Sequence, residues 1–272
     1  MEKNHGGRST RTTRRRLLAG GAALGAVGLA GCLGGRDGPV PEPDVTSDRI
    51  DDWRRIDESE STVFEGSYGP VTVRALERTR IFEYAPVADA LAETVDASGS
   101  PVVFFATRID LRPALDQLPA GVGRERVMGE VESAATDAFR AQLQNAGIEN
   151  VEVAEEGTTT VRSGHTATTW RLTGEYALDG GIPLPTGSTA DVGQTIDIEA
   201  RLGVWHDGTD VLVAGGAYPT DPLIEVFDEA LPDSVDAETT VTELADAETA
   251  EALATDPAAY DEDVSQLLIS VE

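Results

Sequence analysis

The sequence predicts an α+β fold in which a mainly antiparallel sheet packs with helices. Three observations predict it. Residues 195–206 alternate strictly, with Ile196, Ile198, Ala200, Leu202 and Val204 on one face and Asp197, Glu199 and Arg201 on the other, the two-residue period of a half-buried strand. The run from Thr209 to Tyr218 pairs back on it, with His206-Asp207-Gly208-Thr209 as the turn. A long stretch from about Gly123 to Ala146 carries Val127, Val131, Ala135, Ala138, Phe139 and Leu143 at helical spacing.

The other elements follow in order. Val71 to Arg78 alternates and reads as a strand. Ala85 to Asp96 reads as a helix, since Pro86 suits its first turn and Val87, Leu91 and Val95 fall on one face. Pro101 to Leu111 is β-branched and aromatic, which suits a buried strand. Gly147 stands where a left-handed residue would end the long helix. Asn150 to Ala154 opens an extended segment, and Ala167 to Tyr176 is a strand with Trp170, Leu172 and Tyr176 on one face. Asp221 is placed to cap a short helix from Pro222 that carries Leu223, Val226, Phe227 and Leu231. Residues 232–263 are acidic and alanine-rich; one weak helix is expected near 246–255, with Val264 to Val271 docking on the domain.

This order resembles the Mog1/PsbP-like layered sandwich, and the run VLVAGGAYPTDPLIEVFDEAL resembles that fold's last strand and closing helix. The predicted organisation is a signal over 1–32, a flexible acidic Gly/Pro tether over 33–49, an α+β domain over 50–232 and an acidic Ala-rich segment over 233–272. The signal and tether are expected to be disordered.

The N-terminus has the three parts of an export signal. Lys3, Arg8, Arg11, Arg14, Arg15 and Arg16 precede an uncharged run from Leu17 to Gly31, and Cys32 closes it. Thr13-Arg14-Arg15-Arg16-Leu17-Leu18 resembles the twin-arginine consensus, a receptor-read address in which Arg14, Arg15, Leu17 and Leu18 are the recognition residues. The apolar run is shorter than the roughly 20 residues a spanning helix needs. Leu29-Ala30-Gly31-Cys32 matches a lipobox, with small residues for the peptidase and a thiol as nucleophile for the lipid. Cys32 is the single cysteine, so no disulfide competes for it. Two acyl chains on it would hold the protein on a membrane without any spanning helix.

The chain carries a formal charge of −28. Loss of residues 1–32 leaves 15 basic and 48 acidic residues, a charge of −33, and Lys3 is the only lysine. Such a surface repels itself at ordinary ionic strength. In about 1 M salt the Debye length falls to roughly 3 Å and the repulsion is screened. With the signal type, this resembles haloarchaeal exported lipoproteins of unknown function. The lack of a basic patch argues against nucleic acid as a partner.

No catalytic or metal-binding constellation outweighs its plain reading, and no cofactor is expected. His165 and His206 are too few for a zinc site without help from carboxylates. Ser163-Gly164-His165 reads as turn chemistry rather than a nucleophilic pair. Gly121-Val122-Gly123 lacks the third glycine of a dinucleotide fingerprint, Arg126 standing in its place. Trp170 is expected in the core, whereas Trp205 follows the acidic face with Arg201 and Glu199, and Trp205 with Arg201 forms a candidate contact patch.

The leading expectation is therefore a non-enzymatic accessory or interaction lipoprotein on the outer face of the cytoplasmic membrane. Its expected partners are membrane lipid through Cys32, the twin-arginine translocase during export and a further protein. A small-ligand-binding lipoprotein serving a transporter is the alternative. A hydrolase ranks behind it and requires His165 or His206 to meet an acid and a hydroxyl in a cleft.

Overall fold

Alternating and β-branched segments dominate the chain between residues 53 and 219, and they form its central sheet. The computed structural model describes residues 38–68, 71–95, 99–117, 124–184, 187–232 and 234–272. Among them, β1 (Trp53–Tyr68), β2 (Val71–Tyr84), β3 (Val103–Arg112), β4 (Ile148–Thr160), β5 (Thr166–Leu178), β8 (Gln194–His206) and β9 (Asp210–Pro219) make one seven-stranded sheet. Its order is β1-β2-β3-β9-β8-β5-β4, and every pairing is antiparallel. A small hairpin, β6 (Gly181–Pro183) and β7 (Thr189–Asp191), stands apart. The fold is α+β with a mainly antiparallel sheet, as the sequence predicts.

One face of the sheet is covered by α2 (Arg124–Asn145), whose buried Val127, Val131, Ala135, Phe139 and Leu143 are the expected stripe. Phe139 packs on Phe105 of β3 with ring centroids 4.9 Å apart. Gly147 ends the helix region with φ 94°, the left-handed conformation glycine adopts freely. The other face is covered by α6 (Pro257–Ile269), whose Tyr260, Val264, Leu267 and Leu268 are buried. Each such side chain contributes about 1.5–3 kcal/mol on burial. α1 (Ala85–Thr94), α3 (Leu223–Ala230), α4 (Ala237–Leu244) and α5 (Ala247–Leu253) pack on one another at one end of the sheet.

Close packing on both faces requires two glycines in β9. A Cβ on Gly216, on the α6 face, would lie 2.7 Å from the Val103 carbonyl oxygen and 2.9 Å from Val264; one on Gly215, on the α2 face, would lie 2.3 Å from the Arg201 carbonyl oxygen and 2.8 Å from Phe105. No real Cβ sits that near backbone, so both positions exclude a side chain.

Two predicted boundaries are not boundaries in the structure. Residues 38–47 are not a free tether: they run as a strap across β2 and β3 on the α6 face. Val40 is fully buried, Val45 bridges Val271, and Asp44 exchanges backbone hydrogen bonds with Glu272 at 2.9 and 2.8 Å. Residues 234–272 hold three helices rather than one weak one, and they complete the core. Their alanines and acids mask a real apolar stripe through Val241, Leu253, Tyr260 and Val264.

The strap rests on arginines. Arg78, Arg80, Arg108 and Arg112 share one face of β2 and β3, because the partners Arg78↔Arg108, Arg80↔Ala106 and Arg74↔Arg112 lie in register. Arg112 donates to the Gly38 carbonyl at 2.6 Å, Arg78 to the Val40 carbonyl at 3.4 Å and Arg80 to the Pro43 carbonyl at 3.1 Å. Glu42 of the strap pairs with both Arg78 and Arg80. Beneath them lie two carboxylates, Asp110 and Asp210, 2% and 3% exposed, on Arg112 and Arg108 respectively.

Two further differences concern ends and edges. α3 is not capped by Asp221: its N-cap is Pro222, and Asp221 accepts from the Thr220 hydroxyl instead. β1 was not legible as a strand, since it is an edge rich in acid and serine. Both edge strands carry two bulges, and β4 adds Glu149, Glu152, Glu155 and Glu156, devices that discourage pairing with another chain.

Two outcomes are expected. Gly216→Ala should lower stability by about 1–3 kcal/mol in chemical denaturation, since overpacking must move Val264 or the β3 backbone. The second concerns the caps. Asp236 accepts from the Thr239 side chain and backbone, and Asp246 from the Thr249 N–H, so both carboxyls sit below their ordinary pKa. A depressed folded-state pKa gives stability that is present above the unfolded value and lost as pH falls through the folded one. The melting-temperature gap between the parent and Asp246→Ala should therefore narrow from neutral pH to pH below the carboxylate range.

Candidate functional site

A polar network bordered by cavities lies where β8, β5 and β9 meet α6. Arg201 sits mid-strand on β8, directly opposite Arg171 on β5 and Gly216 on β9. Two like charges facing each other across a sheet are unfavourable unless each has a partner, and here each has one. Arg201 grips Asp261 of α6 through Nε and Nη2, the latter at 2.9 Å from Oδ2. Arg171 pairs with Glu199 at 3.1 Å. Tyr218, only 3% exposed, lies beside Glu199 and joins the two pairs, its hydroxyl 3.1 Å from Glu199 and bonded also to Asp261. Gly216, having no side chain, leaves the room above β9 into which α6 packs.

The electrostatics keep Tyr218 protonated, as a hydrogen-bond donor. Burial pushes its pKa up, and donation to Asp261 beside Glu199 pushes it further, well above the ordinary phenol. It holds its proton at neutral pH and is no base. For Arg201, burial opposes the charge, but the hydrogen bonds to Tyr218 and Asp261 outweigh that and raise its pKa. The network can bind and orient through charge-assisted hydrogen bonds.

Cavities flank it on both sides. One of about 330 Å³ is bounded by Thr159, Thr169 and Arg171 on the sheet and by Ser265, Leu268 and Ile269 on α6. A smaller one, about 220 Å³, opens past Tyr218 toward Thr220 and Pro257. Arg171, 42% exposed along its side chain, and Arg201 border both. This groove exists because α6 covers β9 and β8 but stops short of β5 and β4.

The predicted site residues fare unevenly. Arg14, Arg15, Leu17, Leu18, Leu29, Ala30, Gly31 and Cys32 lie outside the described residues, as do Gly121, Val122 and Gly123. Trp205 does not form a contact patch: it is 1% exposed, with its indole N–H unpartnered. The face that is solvated at Asp197 is roofed by the end of α6 at Gly203, where Leu268 sits within 3 Å of a Cβ position. Arg201 is likewise not a free contact residue but is committed to Asp261. Trp170 is half-buried against the core, as expected.

His165 and His206 come to one end of the sheet, since Thr168 of β5 pairs with Val204 of β8. Asp207 lies near His165. Burial opposes its ionisation, but the N–H groups of Asp210 and Thr209, with Arg108 and His165 nearby, hold its pKa below the usual carboxylate value. Ser163 and Gly164 form an exposed turn closed by Gly164 N–H on the Val161 carbonyl at 2.9 Å. Among the described residues, no group of three His, Cys, Asp or Glu side chains is placed to hold a metal ion.

The residues that build the groove were only partly visible in the sequence. Asp261 is one acid among 49 and had no distinguishing signal. In the sequence, Arg171 is distinguished only by alternating with Trp170 and Leu172, which puts it on the opposite face of its strand.

Comparison with known proteins adds a match over residues 42–272. The chain belongs to the DUF6517 family. DUF6517 is a domain of unknown function. The match begins within the strap and runs through α6, so the family's unit includes both segments that the sequence left outside its core. No curated protein and no solved structure matches the chain.

Tyr218→Phe tests the network. Removing the hydroxyl takes the shared donor from Glu199 and Asp261, and stability should fall by about 1–3 kcal/mol. Spectrophotometric titration should lose one of the two latest-ionising tyrosines, the other being the buried Tyr260; an unchanged titration would contradict the assignment.

Proposed function

We propose that this DUF6517 protein is a lipid-anchored, extracytoplasmic interaction module without catalytic activity of its own. The leader with Arg14 and Arg15 supports twin-arginine export, and Cys32 in its lipobox supports anchoring on the outer face of the cytoplasmic membrane. No described helix is long and apolar enough to cross a membrane, so a lipid on Cys32 is the attachment this reading relies on. The charge of the mature chain, with lysine absent after Lys3, supports a salt-rich, haloarchaeal setting. The Mog1/PsbP-like likeness stays a resemblance of element order.

The observation that carries the reading is the groove beside α6. Its charged groups are already paired, its tyrosine is held protonated, and its rim offers the hydroxyls of Thr159, Thr169 and Ser265 with the half-exposed Arg171. That is equipment for recognition. A small-ligand-binding role is the second reading, favoured by the cavity of about 330 Å³ in the same groove. Ligand-dependent melting in high salt, lost in Arg171→Ala, would select it over a protein partner.

Anchoring has a direct test. Cys32→Ser should move the protein from the membrane fraction to the medium or soluble fraction, and the parent's mature N-terminus should carry the mass of a lipid. A parent recovered with its leader intact and a bare thiol would refute the reading.

A further inference from the structure

We propose that the domain presents one particular end to the lipid surface: the end bearing Gly38, the Arg162–His165 loop and the His206–Asp210 turn. The proposal rests on the anchoring read from Cys32 and adds which surface meets the bilayer and why.

The strap sets the geometry. Gly38, with which the described residues begin, has its carbonyl held by Arg112 at the last residue of β3. From there it runs toward the other end of the sheet, past Arg78 and then Arg80. Only five residues lie between Cys32 and Gly38, and a fully extended chain spanning those six steps reaches no more than about 20 Å. Were residues 33–49 a free tether, as the sequence alone suggests, the leash would be long enough to let the domain turn over.

The strands place the rest. β3 ends at Arg112, β9 begins at Asp210 opposite Asp110, and β8 ends at His206 opposite Val211. The loop joining β4 to β5 carries Arg162 and His165 at that same end. Opposite, at the far end of β9, stand α1, α3, α4 and α5. Ten residues of β9 put the two ends roughly 30 Å apart.

Charge favours the same orientation. After Arg201 the chain contains neither lysine nor arginine, so α3, α4 and α5 bring acids without bases to the far end. Arg74, Arg112, Arg126 and Arg162 lie at the proposed end, among acids that include Asp116, Glu125 and Asp207. An anionic leaflet repels the helical end more strongly. High salt screens this preference, which leaves the short leash as the main cause.

The lipidated full chain, reconstituted into phosphatidylglycerol vesicles doped with a nitroxide-headgroup lipid, tests it. With Cys32 blocked by lipid, a fluorophore can be placed singly at His206→Cys or, at the far end, at Thr220→Cys. The first should be quenched several-fold more than the second. A Gly/Ser insertion after Gly35 lengthens the leash and should shrink that difference. So should Arg78→Ala with Arg80→Ala, provided melting shows the domain folded. Equal or reversed quenching in protein that floats with the vesicles overturns the proposal and leaves anchoring intact. A difference unmoved by the insertion overturns the strap as its cause. Protein that fails to float and carries a bare Cys32 overturns the anchoring reading as well.

Discussion

The structure depends on a layer of arginine held between a sheet and its own N-terminal strap. Arg78, Arg80, Arg108 and Arg112 emerge from neighbouring strands on one face, where an ordinary domain would place aliphatic side chains. Guanidinium groups there are costly unless acceptors meet most of their donors; Nε of Arg80 and of Arg108 is left without one. The acceptors come from the sheet (Asp110, Asp210, Glu58) and from the strap (Glu42 and three backbone carbonyls). Strap and layer therefore require each other. Without the strap the layer loses acceptors; without the layer, a segment of Gly, Pro and acid has little reason to stay. The C-terminus joins the same arrangement, since Asp44 and Thr46 bond to Glu272 and Ser270.

The groove beside α6 repeats this logic on the neighbouring strands. α6 is fixed by apolar burial through Val264 and Leu268, and the room for it comes from Gly203 and Gly216. Its acids then meet bases on the sheet and before it: Asp261 on Arg201 of β8, and Asp263, at 2.5 Å, on Arg49 of the turn that precedes β1. Asp263 shows the cost of the scheme. Burial, with Asp52 and Glu262 close by, raises its pKa despite Arg49, so it opposes folding once ionised. Apolar contacts hold the helix, and ion pairs set its register.

How much of this was legible follows from where each element gets its energy. Strand β8, the stripe of α2 and the short helix α3 are amphipathic by themselves, and β9 is a continuous apolar run just after a turn, so their patterns read directly. β1 and β4 are edges with solvent on most sides, so they lack a second apolar face and carry bulges that break the period. β4 was found only at its start, and β1 not at all. The strap and α4–α6 failed for a different reason. Their composition is that of linkers, acid with Pro, Gly or Ala, and what orders them is a long-range partner, such as Arg112 for the strap or Gly216 for α6, that no local window contains. Trp205 was misplaced because strand alternation assigns a face but not what covers it.

The lack of lysine then acquires a structural meaning beyond salt. Arg78 meets Glu58, Glu42 and the Val40 carbonyl at once, and Arg54 meets Glu83 and Asp89. A planar guanidinium offers five donors in fixed directions and can bridge such dispersed acceptors, whereas an ammonium is a single compact charge that is more strongly hydrated. With 48 acids and only 15 bases in the mature chain, each base must serve several acceptors if half-buried carboxylates are to be satisfied. Arginine is the residue that can do so. The same scarcity explains why bases are concentrated under the strap and opposite α6, and why α3, α4 and α5, which follow Arg201 in the sequence, carry acids without bases.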